Sequence, residues 1–332
     1  MYNQILGVYA GILPQRTPFN VPLDLGGVYS LPGVGRIFFV RGNGTVVTAY
    51  DDQYTMVLPD TRREVFPSIV SPQLANKLVA GRGDVICVLP GHTENISTAD
   101  HWASIVKAGV RIVGIGEGTA IPTFTFTVAT ATLVFDALNF SVSGCRFLCA
   151  GPAGTTALTI AAPFALSSTV QMIRNQFEVG IDNNQICGTF MTVTGDRVLL
   201  AYNEIESQAA AAAITDLIVL TGADRFTMIG NRAKAAVTTA ATGLVRSTAT
   251  ASTDILIQGN ILHNWLAAST GVLNFSEAIA CTGVLKDNLL IIEDATSLAA
   301  FAANAANDLR LDRNYVQNEK NKTAIQIGTV VD

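Results

Sequence analysis

The chain has 332 residues, of which 49% are hydrophobic and only 14% charged, with a formal net charge of -5 at pH 7 and a pI near 5.2. An average soluble domain carries about 25% charged residues, so this exterior is built largely from Ala, Thr, Ser, Asn and Gly, which suits a surface covered by partner subunits. The acidic balance argues against a phosphate-binding surface and no apolar run nears the roughly 18 residues that span a bilayer, so neither nucleic acid nor a membrane is expected as a partner.

Residues 1–72 hold seven of the 11 prolines. The opening stretch MYNQILGVYAGILPQRTPFNVP is apolar but broken by Pro14, Pro18 and Pro22, which rules out one long helix. Its apolar residues Ile5, Leu6, Val8, Tyr9, Ile12 and Leu13 precede Pro14 and cannot form a core of their own, so they read as an arm that binds a partner, the alternative being an arm that folds back along its own solenoid. The stretch RIFFVRGNGTVVTAY, 36–50, predicts a hairpin around Gly42, Asn43 and Gly44. Residues 1–70 are therefore expected to form an N-terminal arm and a small β module, and residues 71–332 a second unit.

No charged segment followed by an apolar run opens the chain, and the expectation is synthesis and folding in a reducing cytoplasm. Cys87, Cys145, Cys149, Cys187 and Cys281 form no CxxC pair and read as small buried thiols, neither disulfides nor zinc ligands.

From residue 71 the punctuation becomes regular. Ser71 can cap a short helix with Pro72 at its first position and Gly81 at its end, and GDVICVLPG, 83–91, reads as a strand and turn. After it a pattern recurs: VRIVGI, FSVSGC, VQMIRN, VLLAYN, FTMIGN, ILIQGN, GVLKDN and LRLDRN, ending on Ile115, Cys145, Asn175, Asn203, Asn231, Asn260, Asn288 and Asn314. Successive spacings are 30, 30, 28, 28, 29, 28 and 26 residues, the period of a solenoid, propeller or array.

Most repeats place a second apolar residue two positions later and a further extended segment beyond it, such as ALTIA, FMTVTG, LIVLTG and AIQIG. No helical period recurs, and propeller blades are longer, at roughly 40 to 50 residues. The prediction is an all-β, right-handed, single-stranded parallel β-helix. Stacked coils would place Asn175, Asn203, Asn231, Asn260, Asn288 and Asn314 in one column at a turn, where asparagine tolerates left-handed angles and hydrogen-bonds along the stack.

The residues LANKLVAGRGDVICVLPGHTENIS, 74–97, followed by GVRIVGIGEGTAIPTFTF, 109–126, resemble the first coils of pectin-lyase-like right-handed β-helix families. More narrowly, GDVICVLPGHTENI with AGVRIVGIGEG is similar to tailed-bacteriophage virion proteins of β-helix type. The resemblance covers residues 74–150, with the later coils following by pattern, and implies a structural part of a virus particle.

The catalytic sets of pectin-lyase-like enzymes do not carry over. The aligned coils hold no aspartate pair, and His92, His101 and His263 do not sit in a hydrolase setting. Glu178 and Glu206 share one column, continued by Lys234 and His263 with Glu204 beside them; stacked carboxylates about 4.8 Å apart approach the spacing of a retaining glycosidase, but any stacked pair does so. A solvated charged patch is the expected reading. GRGD, 81–84, contains an Arg-Gly-Asp triplet placed at a strand entrance, where a turn is expected; no metal-ligand spacing or nucleotide loop appears, so no cofactor is expected.

The function expected from these features is a non-enzymatic structural protein of a bacteriophage particle, a capsid decoration, cement or minor capsid protein. It would be a homotrimer bound to the major capsid protein or other virion proteins, located in the virion after assembly in the host cytoplasm. The alternative is a tailspike or tail-fibre β-helix that binds or cleaves host surface glycan.

Overall fold

A computed structural model of the chain describes residues 35–42, 65–149, 158–160, 163–179, 185–207, 214–237, 243–248, 250–266, 271–277, 280–293, 300–319 and 323–327. Strands β1 (Ile37–Val40) and β2 (Val65–Phe66) precede helix α1 (Pro72–Lys77). The coils follow as β3 (Val85–Val88) and β4 (Thr93–Ile96); β5 (Arg111–Gly114), β6 (Thr123–Phe126) and β7 (Leu133–Phe135); β8 (Phe140–Ser143), β9 (Arg146–Leu148), β10 (Leu158–Ile160) and β11 (Phe164–Leu166). Next come β12 (Val170–Ile173), β13 (Gln176–Glu178), β14 (Gln185–Cys187) and β15 (Thr189–Val193); β16 (Leu199–Ala201), β17 (Glu204–Glu206) and β18 (Asp216–Leu220); β19 (Thr227–Ile229), β20 (Arg232–Ala235) and β21 (Val245–Ser247). The last are β22 (Ile255–Gln258), β23 (Ile261–Asn264) and β24 (Leu273–Phe275); β25 (Thr282–Lys286), β26 (Leu289–Ile292) and β27 (Phe301–Ala303); and β28 (Asp308–Asp312), β29 (Asn314–Asn318) and β30 (Thr323–Ile327).

These strands form a parallel β-helix of about eight turns. Sheet A is 11-stranded, in the order β2-β1-β3-β5-β8-β12-β16-β19-β22-β25-β28; sheet B is 10-stranded, from β4 to β30; sheet C is 7-stranded, from β7 to β27. Each coil from β5 to β27 contributes one strand to each sheet because its apolar residues alternate over three short runs separated by turns, and a run of three to five residues can cross only one face.

The core is a set of straight columns. Ile112, Val142, Met172, Leu200, Met228, Ile257 and Leu285 are hydrogen-bonded neighbours from coil to coil, and all are buried. Along sheet B, Phe124, Phe147 and Phe177 stack ring on ring, with centroids 5.5 and 5.3 Å apart and interplanar angles of 25° and 13°. Phe164 and Phe190 meet this stack edge-on from sheet C. Further along, Ile205, Ala233, Leu262, Leu290 and Val316 continue the column, so aromatic filling gives way to aliphatic.

The ends depart from the sequence expectations in instructive ways. Ser71 Oγ accepts from the Leu74 amide at 3.4 Å and Pro72 opens α1, but the helix stops at Lys77; Gly81, at φ 76°, serves the turn beyond it. Leu74, Ala75 and Leu78 turn inward and close the first coil. The hairpin expected around Gly42 is not how β1 is paired: Phe39 and Val40 lie between β2 and β3, both parallel. With both edges taken at these residues, a hairpin partner has no ladder to join, and residues 43–50 lie outside the described residues. The four residues of β3 are all buried, since its outward Val85 and Cys87 pack with Ile37, Phe39, Val113 and Ile115.

The segment ALTIA is also not the equivalent of FMTVTG and LIVLTG. It gives β10, which pairs with β14 in a separate two-stranded sheet, while sheet C of that coil is supplied by β11. AIQIG gives β30, which returns antiparallel along β29 and closes the end of sheet B.

Candidate functional site

The asparagine column is the most regular polar feature of the fold. The amides of Asn175, Asn203, Asn231, Asn260 and Asn288 donate to the Oδ1 of the next asparagine at 2.9, 2.9, 2.8, 3.0 and 3.1 Å, ending on Asn314. Each of these Nδ2 groups also donates to that same Oδ1. Each reaches sideways as well, to the carbonyls of Val142, Met172, Leu200, Met228 and Ile257, and Asn314 reaches Leu285. The Cys145 amide starts the row by donating to Asn175 Oδ1 at 3.1 Å.

All of these asparagines are buried, so the row satisfies the polar groups of the corner between sheets A and B with no water. The left-handed angle belongs not to asparagine, as the sequence suggested, but to the residue before it, Arg174, Tyr202, Gly230, Gly259, Asp287 and Arg313, and to Gly144 before Cys145 at the head of the column, with φ between 46° and 67°. That residue turns the chain and leaves the asparagine side chain lying along the stack. At Gly230 the requirement is double, because an added Cβ would stand 2.6 Å from the Tyr202 ring.

The charged column on sheet B is assembled in the expected order: Glu178 beside Glu206, Glu206 beside Lys234, Lys234 beside His263. Glu178 is partnered. Arg146 binds the Glu178 carboxylate from the preceding coil, Lys234 extends over the Trp265 ring at 6.0 Å, and His263 Nε2 lies 3.1 Å from Glu293 Oε1. Burial holds the His263 imidazole below its ordinary value, against the opposing pull of Glu293. The arrangement is a charged surface row in which Glu178 is already committed to a guanidinium.

The Arg-Gly-Asp triplet is closed on itself. Arg82 Nε and Nη2 grip the Asp84 carboxylate at 2.6 and 2.7 Å, and Asp84, fully buried, also accepts the amides of Arg36 and Val79 at 2.8 Å each. An adhesion receptor would need that carboxylate in solvent, and here it joins β1, α1 and β3.

A node that the sequence reading passed over lies one turn further on, in PGHTENI. His92 is fully buried, its Nδ1 accepts from the Gly42 amide at 2.7 Å, and its Nε2 lies 3.1 Å from Glu94 Oε2. Ser68 Oγ donates to Glu94 Oε1 at 2.9 Å and the Ile69 amide to Oε2 at 2.8 Å. Serine, histidine and glutamate are thus gathered, but the carboxylate stands between the other two, so the imidazole is not aimed at the serine hydroxyl as it is in a Ser-His-acid triad. The signal available beforehand was H-x-E on a strand, which puts both side chains on one face.

All five cysteines are buried free thiols, and burial pushes those of Cys87 and Cys145 up to about 12. Among the described residues no group of His, Cys, Asp and Glu is placed to hold a metal ion, and no helix is long and apolar enough to cross a membrane. The expected arm residues Ile5, Leu6, Val8, Tyr9, Ile12 and Leu13 lie outside the described residues. No protein-family profile, curated protein or solved structure matches the chain.

Proposed function

We propose that this chain is a non-enzymatic structural component of a tailed-bacteriophage particle, one that decorates or cements the capsid as a homo-oligomer. One observation carries the reading. Across β8, β12, β16, β19 and β22 the outward face of sheet A presents Ser141, Ser143, Gln171, Leu199, Thr227, Ile229, Leu256 and Gln258, without a single charge, over the buried Ile173 and Ala201.

A solvated sheet ordinarily carries Lys and Glu in such positions, and burying an uncharged face between subunits gains about 25 cal/mol per Å² of apolar area with no charge to desolvate. The similarity of residues 83–96 and 108–118 to phage β-helix proteins supports the viral setting, and three subunits side by side would cover such a face on each. The major capsid protein or another virion protein is then the partner of the arm, Ile5 to Leu13.

Sedimentation and particle binding test this together. The full-length protein is expected to sediment as an oligomer at micromolar concentration, the pair Leu199→Lys and Leu256→Lys to yield a folded monomer, and deletion of residues 2–22 to abolish incorporation into particles. A monomeric full-length protein whose truncated form still occupies virions normally refutes the proposal. Release of saccharide from host capsule or lipopolysaccharide, lost in Glu178→Gln or Glu206→Gln, would replace it with a tailspike.

A further inference from the structure

The described residues ahead of the helix are tied to the first coil by backbone pairing and by two buried polar points, Asp84 and His92. Asp84 is held by a guanidinium. His92 is different, because its contribution depends on a lone pair.

Its Nδ1 accepts the Gly42 N–H, so the ring hydrogen sits on Nε2 and is donated to Glu94. One neutral imidazole and one carboxylate thereby fasten the end of β1 and, through Ser68 and Ile69, the turn after β2. The fit leaves little room for adjustment: a Cβ on Gly42 would stand 2.3 Å from the Pro67 carbonyl oxygen and 3.3 Å from the imidazole Cε1.

We propose that His92 is a proton-operated latch, which holds β1 and β2 on the solenoid when neutral and releases Gly42 when protonated. An imidazolium carries hydrogen on both nitrogens and cannot accept, so two N–H groups would face each other in a site closed to water, and the Gly42 donor would lose its partner.

The charge has a counter-ion in place. Burial opposes ionisation of Glu94, but its hydrogen bonds from His92, Ile69 and Ser68 outweigh that and hold its carboxyl below the ordinary value. Glu94 is therefore the anion already placed against Nε2.

The surroundings add little other charge. β6 contributes the Phe124 ring, with centroid 5.5 Å from that of His92; the turn after β2 contributes a hydroxyl and an amide; Arg41 adjoins Gly42 in the chain; and His101, bonded to Thr98 Oγ1, feels Glu94 from the other side. The latch stands whether or not the chain belongs to a virus particle.

Hydrogen–deuterium exchange on the full chain, in the His101→Gln background and corrected for intrinsic exchange rates, reads the latch directly. Between about pH 8 and about pH 5, protection of residues 36–42 is expected to fall about tenfold and reversibly, while residues 140–148 keep theirs. His92→Asn places a non-titrating acceptor near Nδ1 and should remove the pH dependence. Glu94→Gln removes the counter-ion and should move the transition to lower pH, a reading that remains if His92→Asn does not fold. Protection of residues 36–42 that is flat across this range, or that falls equally in His92→Asn, or a midpoint unmoved in Glu94→Gln, overturns the proposal.

Discussion

Asn231 shows how much one buried side chain holds. Its Nδ2 donates to Leu200, Ile229 and Asn260, and its Oδ1 accepts the backbone and side-chain N–H groups of Asn203. Asn231→Leu removes all of these at a site 2% exposed and leaves the Asn203 donors with no acceptor. The expected loss is about 3 kcal/mol or more in denaturant-induced unfolding, several times that of a surface asparagine. His263 gives a second test. Its folded value is depressed by burial, so the unfolded chain binds the proton first, and the stability the neutral ring contributes is present above the ordinary histidine range and lost as pH falls through it. Wild-type protein should therefore lose stability relative to His263→Gln between about pH 7 and about pH 5, as thermal unfolding at each pH would show. The asparagine column was legible because equal spacing in a coiled chain becomes stacking in space. The pairing of His92 with Gly42 was not, because 50 residues separate them and no repeat connects them.

Among the elements, the strands of the repeat and β3 ahead of it were readable, and the pairing of β1 was not. The aromatic stack illustrates the first case: Phe147 and Phe177 occupy equivalent positions of successive repeats, and the period alone puts one ring above the other. Phe147→Ala should empty a site between Phe124 and Phe177 and cost about 3–5 kcal/mol in equilibrium unfolding, because the flanking strands are hydrogen-bonded and cannot close the gap. β1 illustrates the second case. Its sequence carries a turn signal at Gly42 to Gly44 that favours a local hairpin, yet Phe38 and Val40 bury their side chains only by joining β3. Tertiary burial overrides the local turn preference, and a single sequence offers no measure of that competition.

For the whole molecule, a dry lumen is the central expectation. Met228 is fully buried between Leu200 and Ile257, and Met228→Asp should prevent soluble folding, since the charge would have no partner. The five thiols lie in the same protected interior or beneath β1, so native protein at about pH 8 should react with a thiol reagent far more slowly than unfolded protein, which exposes all five. What the sequence by itself determined was the coil: a period of 26 to 30 residues, the alternation within each strand and the asparagine at one corner are local properties repeated along the chain, and stacking follows from them. What only the tertiary structure decided was everything that occurs once. The end of α1 at Lys77, the parallel placement of β1, the two-stranded sheet of β10 and β14, the antiparallel return of β30 and the buried partners of Asp84 and His92 arise where a periodic stack meets its ends or an irregular coil. There the unpaired edges and apolar surface are satisfied by whatever segment can reach them, and that choice is made in space.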